Sequence, residues 1–174
     1  MALHNQPENL NILSPVSFRL IIQKFPNVNF WCQSVNIPDM TISEVVVPTP
    51  FVDIPIIGDK IEFGDLIVTI LVDEDLINFL EITNWMKAVG TPESFSQRTE
   101  FYSKTEGPND NKEKELYSDA TLHILTNNKN PNKEIEFRDM FPTSISELMF
   151  DSTGDNEAVT TSITFQLRDY IINE

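Results

Sequence analysis

Three consecutive acids, Asp73, Glu74 and Asp75, stand between two apolar segments in "VTILVDEDLINFLEITNWMK", Val68 to Lys87. Carboxylates this close together can hold a divalent cation or share a proton in acid–base work. A calcium loop, however, needs oxygen ligands at alternating spacing, a glycine at its turn and a later glutamate, whereas Leu76 and Ile77 follow here. The acids therefore read as punctuation before a helix, where they meet orphan amides and the positive end of the helix dipole, worth about 0.3–1 kcal/mol each. The other reactive side chains are sparse. His4 lies near the N-terminus, and His123 sits in an alternating segment that suits a structural imidazole. The one cysteine, Cys32, has no internal disulfide partner and reads as a small buried hydrophobe. The stretch "DSTGDNE", 151–157, has the chemistry of a hairpin turn rather than of a calcium site. There is no phosphate-binding glycine loop, nucleophile elbow or Cys/His metal spacing. The expectation is a protein that is not an enzyme and uses no cofactor and no metal.

The elements around these residues are mostly strands. Val16, Phe18, Leu20 and Ile22 alternate with Ser17, Arg19, Ile21 and Gln23, the period of a half-buried strand. "VNFWCQSVNIP" reads as a second strand, joined to the first by a hairpin turn through Pro26 and Asn27. "DMTISEVVVPTPFVDIPIIGDK" is rich in β-branched residues but broken by Pro48, Pro50 and Pro55, which cannot donate ladder hydrogen bonds. It reads as a projecting arm over about 38–60. Leu66 to Val72, interrupted only by Thr69, predicts a strand buried on both faces. Phe79, Ile82, Met86 and Val89 predict one helix over about 75–89, stopped at Gly90. A charged surface loop follows at about 97–118, then β segments to the end. In the last of these Val159, Thr161, Ile163, Phe165 and Leu167 form a core face, opposite a wet face of Thr160, Ser162, Thr164 and Gln166.

Composition bounds the function further. The 174 residues, 40% hydrophobic, suit one domain spanning 1–174. Acids outnumber bases 27 to 12, a net charge of −15 that opposes phosphate gripping of nucleic acid. The N-terminus lacks signal-peptide character and no apolar run is long enough to span a membrane, so a cytoplasmic product with no membrane insertion is expected.

The order of "FWCQSVNIP", "GDKIEFGDLIVTILVDED", "NWMKAVG" and "KEIEFRDMFPTSISELMFDSTGDNEAVTTSITFQLRDY" resembles the tail tube protein of T-even-type contractile-tailed bacteriophages, over about residues 16–170. The resemblance implies a mainly β fold, an orthogonally packed β-sandwich or open barrel with one flanking α-helix. It further implies a structural virion protein, assembled in the host cytoplasm. Its hexameric rings would stack into the inner tail tube, with sheath, baseplate and tail terminator proteins as partners and DNA in transient passage. Thr160, Ser162, Thr164 and Gln166 become candidates to face the lumen, although outer solvent exposure explains the same pattern. At −15 per copy, a lumen of negative potential is expected. Val45, Val46, Val47, Phe51, Val52, Ile54 and Ile56 become candidates for an inter-ring arm. The alternatives are a baseplate tube-initiator subunit, or a monomeric ligand-binding β-sandwich.

Overall fold

The computed structural model describes residues 12–91, 94–96, 98, 116–151 and 158–173. His4, most of the charged stretch at 97–118 and the turn at 152–157 lie outside the described residues. The elements run β1 (Phe18–Ile22), α1 (Pro26–Phe30), β2 (Cys32–Val35), β3 (Met40–Pro48), β4 (Asp53–Phe63), β5 (Leu66–Leu71), α2 (Ile77–Gly90), β6 (Ser118–Leu125), β7 (Pro131–Ile145), β8 (Thr160–Gln166) and β9 (Asp169–Asn173). The fold is mainly β. Seven strands make one antiparallel sheet along the path β1-β6-β7-β8-β5-β2, with β9 paired to β7, while β3 and β4 form a separate two-stranded ladder.

The fifteen-residue β7 joins two halves of the sheet. Its Glu134–Arg138 section lies between β6 and β9, and its Phe141–Ile145 section pairs with β8. Between the two the ladder slips, because Ala120 faces Phe137 while Ser118 faces Met140, leaving Arg138 and Asp139 opposite Asp119. Such a bulge bends its strand. Asp139 takes a left-handed conformation, φ 50°, which a short polar side chain tolerates better than a branched one. The Asp119 Oδ1 accepts from the Asp139 amide at 2.9 Å, and Arg168 Nη1 donates to Asp139 Oδ2.

The two halves and α2 enclose one core. Leu20, Ile22, Leu122, Ile135 and Phe137 come from one half, Leu66, Val68, Ile70, Ile163 and Phe165 from the other, and Ile82 and Trp85 from the helix. Trp85 is fully buried, its ring 4.9 Å from that of Phe25 and 5.9 Å from that of Phe165, and its indole N–H donates to the Leu116 carbonyl at 2.7 Å.

Several sequence expectations are corrected. The first two strands form no hairpin: β1 pairs with β6 and β2 with β5. Pro26 instead opens α1, a position where its missing N–H costs nothing, and Val28 is buried in the core. Asn29 of this short helix then accepts from the Ile22 amide at 2.6 Å and donates to the Ile22 carbonyl at 3.1 Å, so one side chain occupies the outer edge of β1 at that residue. Strand β5 is buried on one face only, at Leu66, Val68 and Ile70; Ile67 opposite is 44% exposed. Helix α2 buries Asn78, Ile82, Trp85 and Ala88 rather than the Phe79, Met86 and Val89 side, because the bulk of Trp85 takes the core. Gly90 is the last helical residue, and Thr91 takes the left-handed position, its amide donating to the Lys87 carbonyl at 2.7 Å. Of the three acids, Asp73 does cap the helix from outside, accepting from the Asn78 amide at 3.3 Å.

A carboxylate ties the two helices. Glu81 Oε1 accepts from the Asn27 amide group at 2.6 Å, while its Oε2 is buried without a partner. Burial holds this carboxyl above its ordinary range, the Asn27 hydrogen bond opposes that, and Asp73 adds to it. A raised folded-state pKa means that the folded protein binds the proton more tightly than the unfolded chain. The resulting stability is present below the ordinary pKa of 4.5 and is lost as pH rises through the folded value. Glu81→Gln keeps the acceptor for Asn27 and removes the charge, so it should raise the melting temperature at pH 7 and change it little at pH 4; thermal melts at the two pH values check this. Trp85→Ala should cost about 3–5 kcal/mol in denaturant unfolding, the range for truncating a fully buried aromatic side chain.

Candidate functional site

The two halves of the sheet differ in charge. In β2, β5, β8 and the Phe141–Ile145 section of β7 there is no Asp, Glu, Lys, Arg or His. The other half carries Arg19, Asp119, His123, Lys133, Glu134, Glu136, Arg138 and Asp169. Cross-strand partners share a face. Register therefore places Ser34, Thr69 and Ser162 in one row across the outer face of the uncharged half. Thr69 Oγ1 and Ser162 Oγ are 3.1 Å apart; Ser146, just past the end of β7, accepts from the Ser162 amide at 2.9 Å while its hydroxyl lies 3.0 Å from that of the buried Thr161. A second row runs Ile67, Thr164, Ser144. The four β8 residues singled out from the sequence thus lie on this face: Thr160 is exposed, and Ser162, Thr164 and Gln166 are half-buried. Charge returns only at the ends of these strands. Gln166 Nε2 donates to the Asp65 carboxylate at one end, and Asp73, Glu74 and Asp75 follow β5 at the other.

The outer section of the separate ladder, Val45–Val47 against Ile54–Ile56, is apolar on both faces. Val45 opposes Ile56 and Val47 opposes Ile54 on one; Val46 opposes Pro55 on the other. All are exposed, from 41% at Val47 to 98% at Phe51 in the connecting turn, where Val52 is 64% exposed. Two-stranded hairpins standing alone are marginal in water, and apolar patches of this extent mark contact surfaces. Two glycines permit its shape by close approach rather than by unusual φ. A Cβ on Gly58 would lie 2.2 Å from the Ser43 carbonyl oxygen, where the ladder register shifts between Ile42 and Glu44. A Cβ on Gly64 would lie 1.8 Å from Asp39 Oδ1, where the Gly64 amide donates to the Asp39 carbonyl at 3.0 Å and closes the base of the arm.

The remaining candidates show structural roles. Cys32 is half-buried rather than buried, and desolvation pushes its thiol up to about 11, far from a reactive thiolate. His123 Nδ1 stands 4.0 Å from Glu134 on the neighbouring strand. A cavity of about 610 Å³ beside the β7 bulge is lined by Lys24, Asp119, Glu136, Arg138, Asp139 and Arg168 among others, and several of these charges pair internally: Arg168 with Asp139 and Asp169, Arg138 with Glu136. The uncharged wall is what sequence reading missed. Its signal was present as four strand segments free of charge in a chain that is 22% charged, but it becomes a surface only once pairing makes those segments neighbours.

No family model matches the sequence, and no curated protein matches it. Solved structures do share its fold. A chain of the sheath–tube complex of an extracellular contractile injection system, PVC, in the extended state is 13% identical, with 93% of this chain and 91% of that chain covered and a TM-score of 0.61. The sheath/tube terminator of the same system is 15% identical, with 95% and 100% covered and a TM-score of 0.62. The six-fold symmetrised baseplate of the anti-feeding prophage provides another, 9% identical, with 90% of each chain covered and a TM-score of 0.54. At these identities the likeness is one of fold.

The arm geometry makes a local prediction. Gly58→Ala should raise hydrogen exchange at Ile42–Glu44 and Ile57–Ile61 while leaving Leu66–Leu71 protected. Equal exchange in both variants would show that the arm accommodates the methyl group.

Proposed function

We propose that this chain is a structural subunit of a contractile tail or injection particle, in which copies close into rings and rings stack into a hollow tube. The observation that carries the reading is the β3–β4 arm, whose two apolar faces are exposed and which pairs with no other strand among the described residues. Each such side chain is worth roughly 1.5–3 kcal/mol when buried, so the arm gains most against another copy. In this reading Val45, Val46, Val47, Phe51, Val52, Ile54 and Ile56 contact the adjacent ring.

Strand direction supports ring closure. Three antiparallel pairings separate the Phe141–Ile145 section of β7 from β2, so these two edges of the uncharged half run in opposite senses. The β2 edge of one copy can meet the β7 edge of the next and continue an antiparallel sheet, and a head-to-tail contact of this kind closes into a ring when its rotation allows. Six copies per ring is the number we assign, in keeping with the six-fold baseplate of similar fold. Thr160, Ser162, Thr164 and Gln166 then face the lumen, and the charged half faces outward towards a sheath. Baseplate and terminator proteins bound the tube, DNA is its transient cargo, and the particle is a phage tail assembled in the host cytoplasm.

The complete coverage of the terminator chain favours a second role on the same fold, a cap that ends the tube. Electron microscopy separates the two, since a tube subunit gives hollow tubes of varied length and a cap gives single rings. Deletion of Val45 to Ile56 should abolish stacking while leaving the core fold intact by circular dichroism; normal tubes from the deletion variant would overturn the role given to the arm.

A further inference from the structure

The uncharged half of the sheet bears on what a channel lined by it can discriminate. From the acidity of the chain alone a negative lumen is the expectation, since the net charge is −15. The structure distributes that charge unevenly. Strands β2, β5, β8 and the Phe141–Ile145 section of β7 contain no ionisable residue except Cys32, whose thiol is held neutral with a pKa of about 11. Their outer face presents the hydroxyls of Ser34, Thr69, Ser162, Thr164 and Ser144, with Ile67 among them.

We infer that the tube wall is indifferent to the sign of charge on its cargo, holding a layer of hydroxyl-bound water over most of its length and acidic groups only at the strand ends. The inference rests on the tube reading given above. Its physical basis is range. At about 0.1 M salt the screening length is ~10 Å, so a polymer in the lumen is governed by the charges of the wall beside it. Hydroxyls donate and accept hydrogen bonds with equal facility and hold neither cation nor anion strongly. The wall therefore neither drives an anionic polymer along by repulsion nor detains a cationic one. Nucleic acid and protein segments of either sign meet the same surface.

The test uses open tubes of the full chain and two fluorescent probes of matched size, an oligoglutamate and a neutral dextran, with uptake read by co-sedimentation. The anionic probe avoids adsorption to the acidic exterior. At about 0.1 M salt the two should enter wild-type tubes to within about two-fold of one another, and raising salt to about 1 M should leave the ratio unchanged. Tubes of Ser162→Asp should exclude the oligoglutamate by about ten-fold at the lower salt and admit it at the higher. Thr160→Asp, at an exposed position of the same face, serves if the half-buried site does not tolerate the charge. Exclusion of the anion by wild-type tubes, relieved by salt, would overturn the inference and leave the tube reading standing. A chain that stays monomeric, with or without a baseplate extract, would overturn the tube reading and this inference with it.

Discussion

The fold depends on a bend in one strand. Strand β7 pairs with β6 and β9 before the bulge at Arg138 and Asp139 and with β8 after it, so both halves of the sheet take their relative placement from this point. The bulge is held from both sides. Asp119 receives the Asp139 amide, Arg168 binds the Asp139 carboxylate, and the Arg168 amide donates to the Arg138 carbonyl at 3.1 Å, which also fixes the turn from β8 into β9. A left-handed residue and one extra position in the ladder oppose folding locally, and the side-chain and backbone hydrogen bonds offset that cost. Everything inward of it, including the Phe25–Trp85–Phe165 stack, presupposes the bend.

The division of charge between the halves follows from the same geometry. A continuous strand carries charged residues at Glu134, Glu136 and Arg138, then none from Phe141 to Ile145, so the change of character coincides with the change of partner. Copies bearing −15 each repel one another, and contact between them is least opposed where charge is absent. The uncharged edges of β2 and β7 and the Val45–Val47 and Ile54–Ile56 section of the β3–β4 ladder meet that condition; the face of β6 and the first part of β7 does not.

Periodicity made β8 legible, because its alternation is strict and its buried positions Thr161, Ile163, Phe165 and Leu167 follow it. The helix was legible as an element but not in its orientation. Four apolar positions define a face only when their neighbours are small, and Trp85 next to Met86 turned the helix towards itself. Strand β5 read as doubly buried because apolar runs do not reveal which side meets a second layer; Ile67 points out among hydroxyls. Pairing was the least legible. Pro26 and Asn27 carry turn chemistry, but proline also starts helices, and only the burial of Val28 and the reach of Asn29 decide between the two. The candidate wall residues were found on one strand, and their companions Ser34, Thr69 and Ser144 come from segments 18 to 128 residues away from Ser162 in the order of the chain, beyond any local pattern.

The capture of Ile22 by Asn29 bears on how such a chain survives at high concentration. An unpaired strand edge is a template for runaway fibril growth, and among the described residues β1 has one. By satisfying both backbone groups of Ile22 with its own amide, Asn29 acts as a false neighbouring strand and interrupts the row that an incoming chain would have to match. A pool of newly made protein is thereby denied one route to irreversible precipitation, at the expense of a single side chain on a five-residue helix.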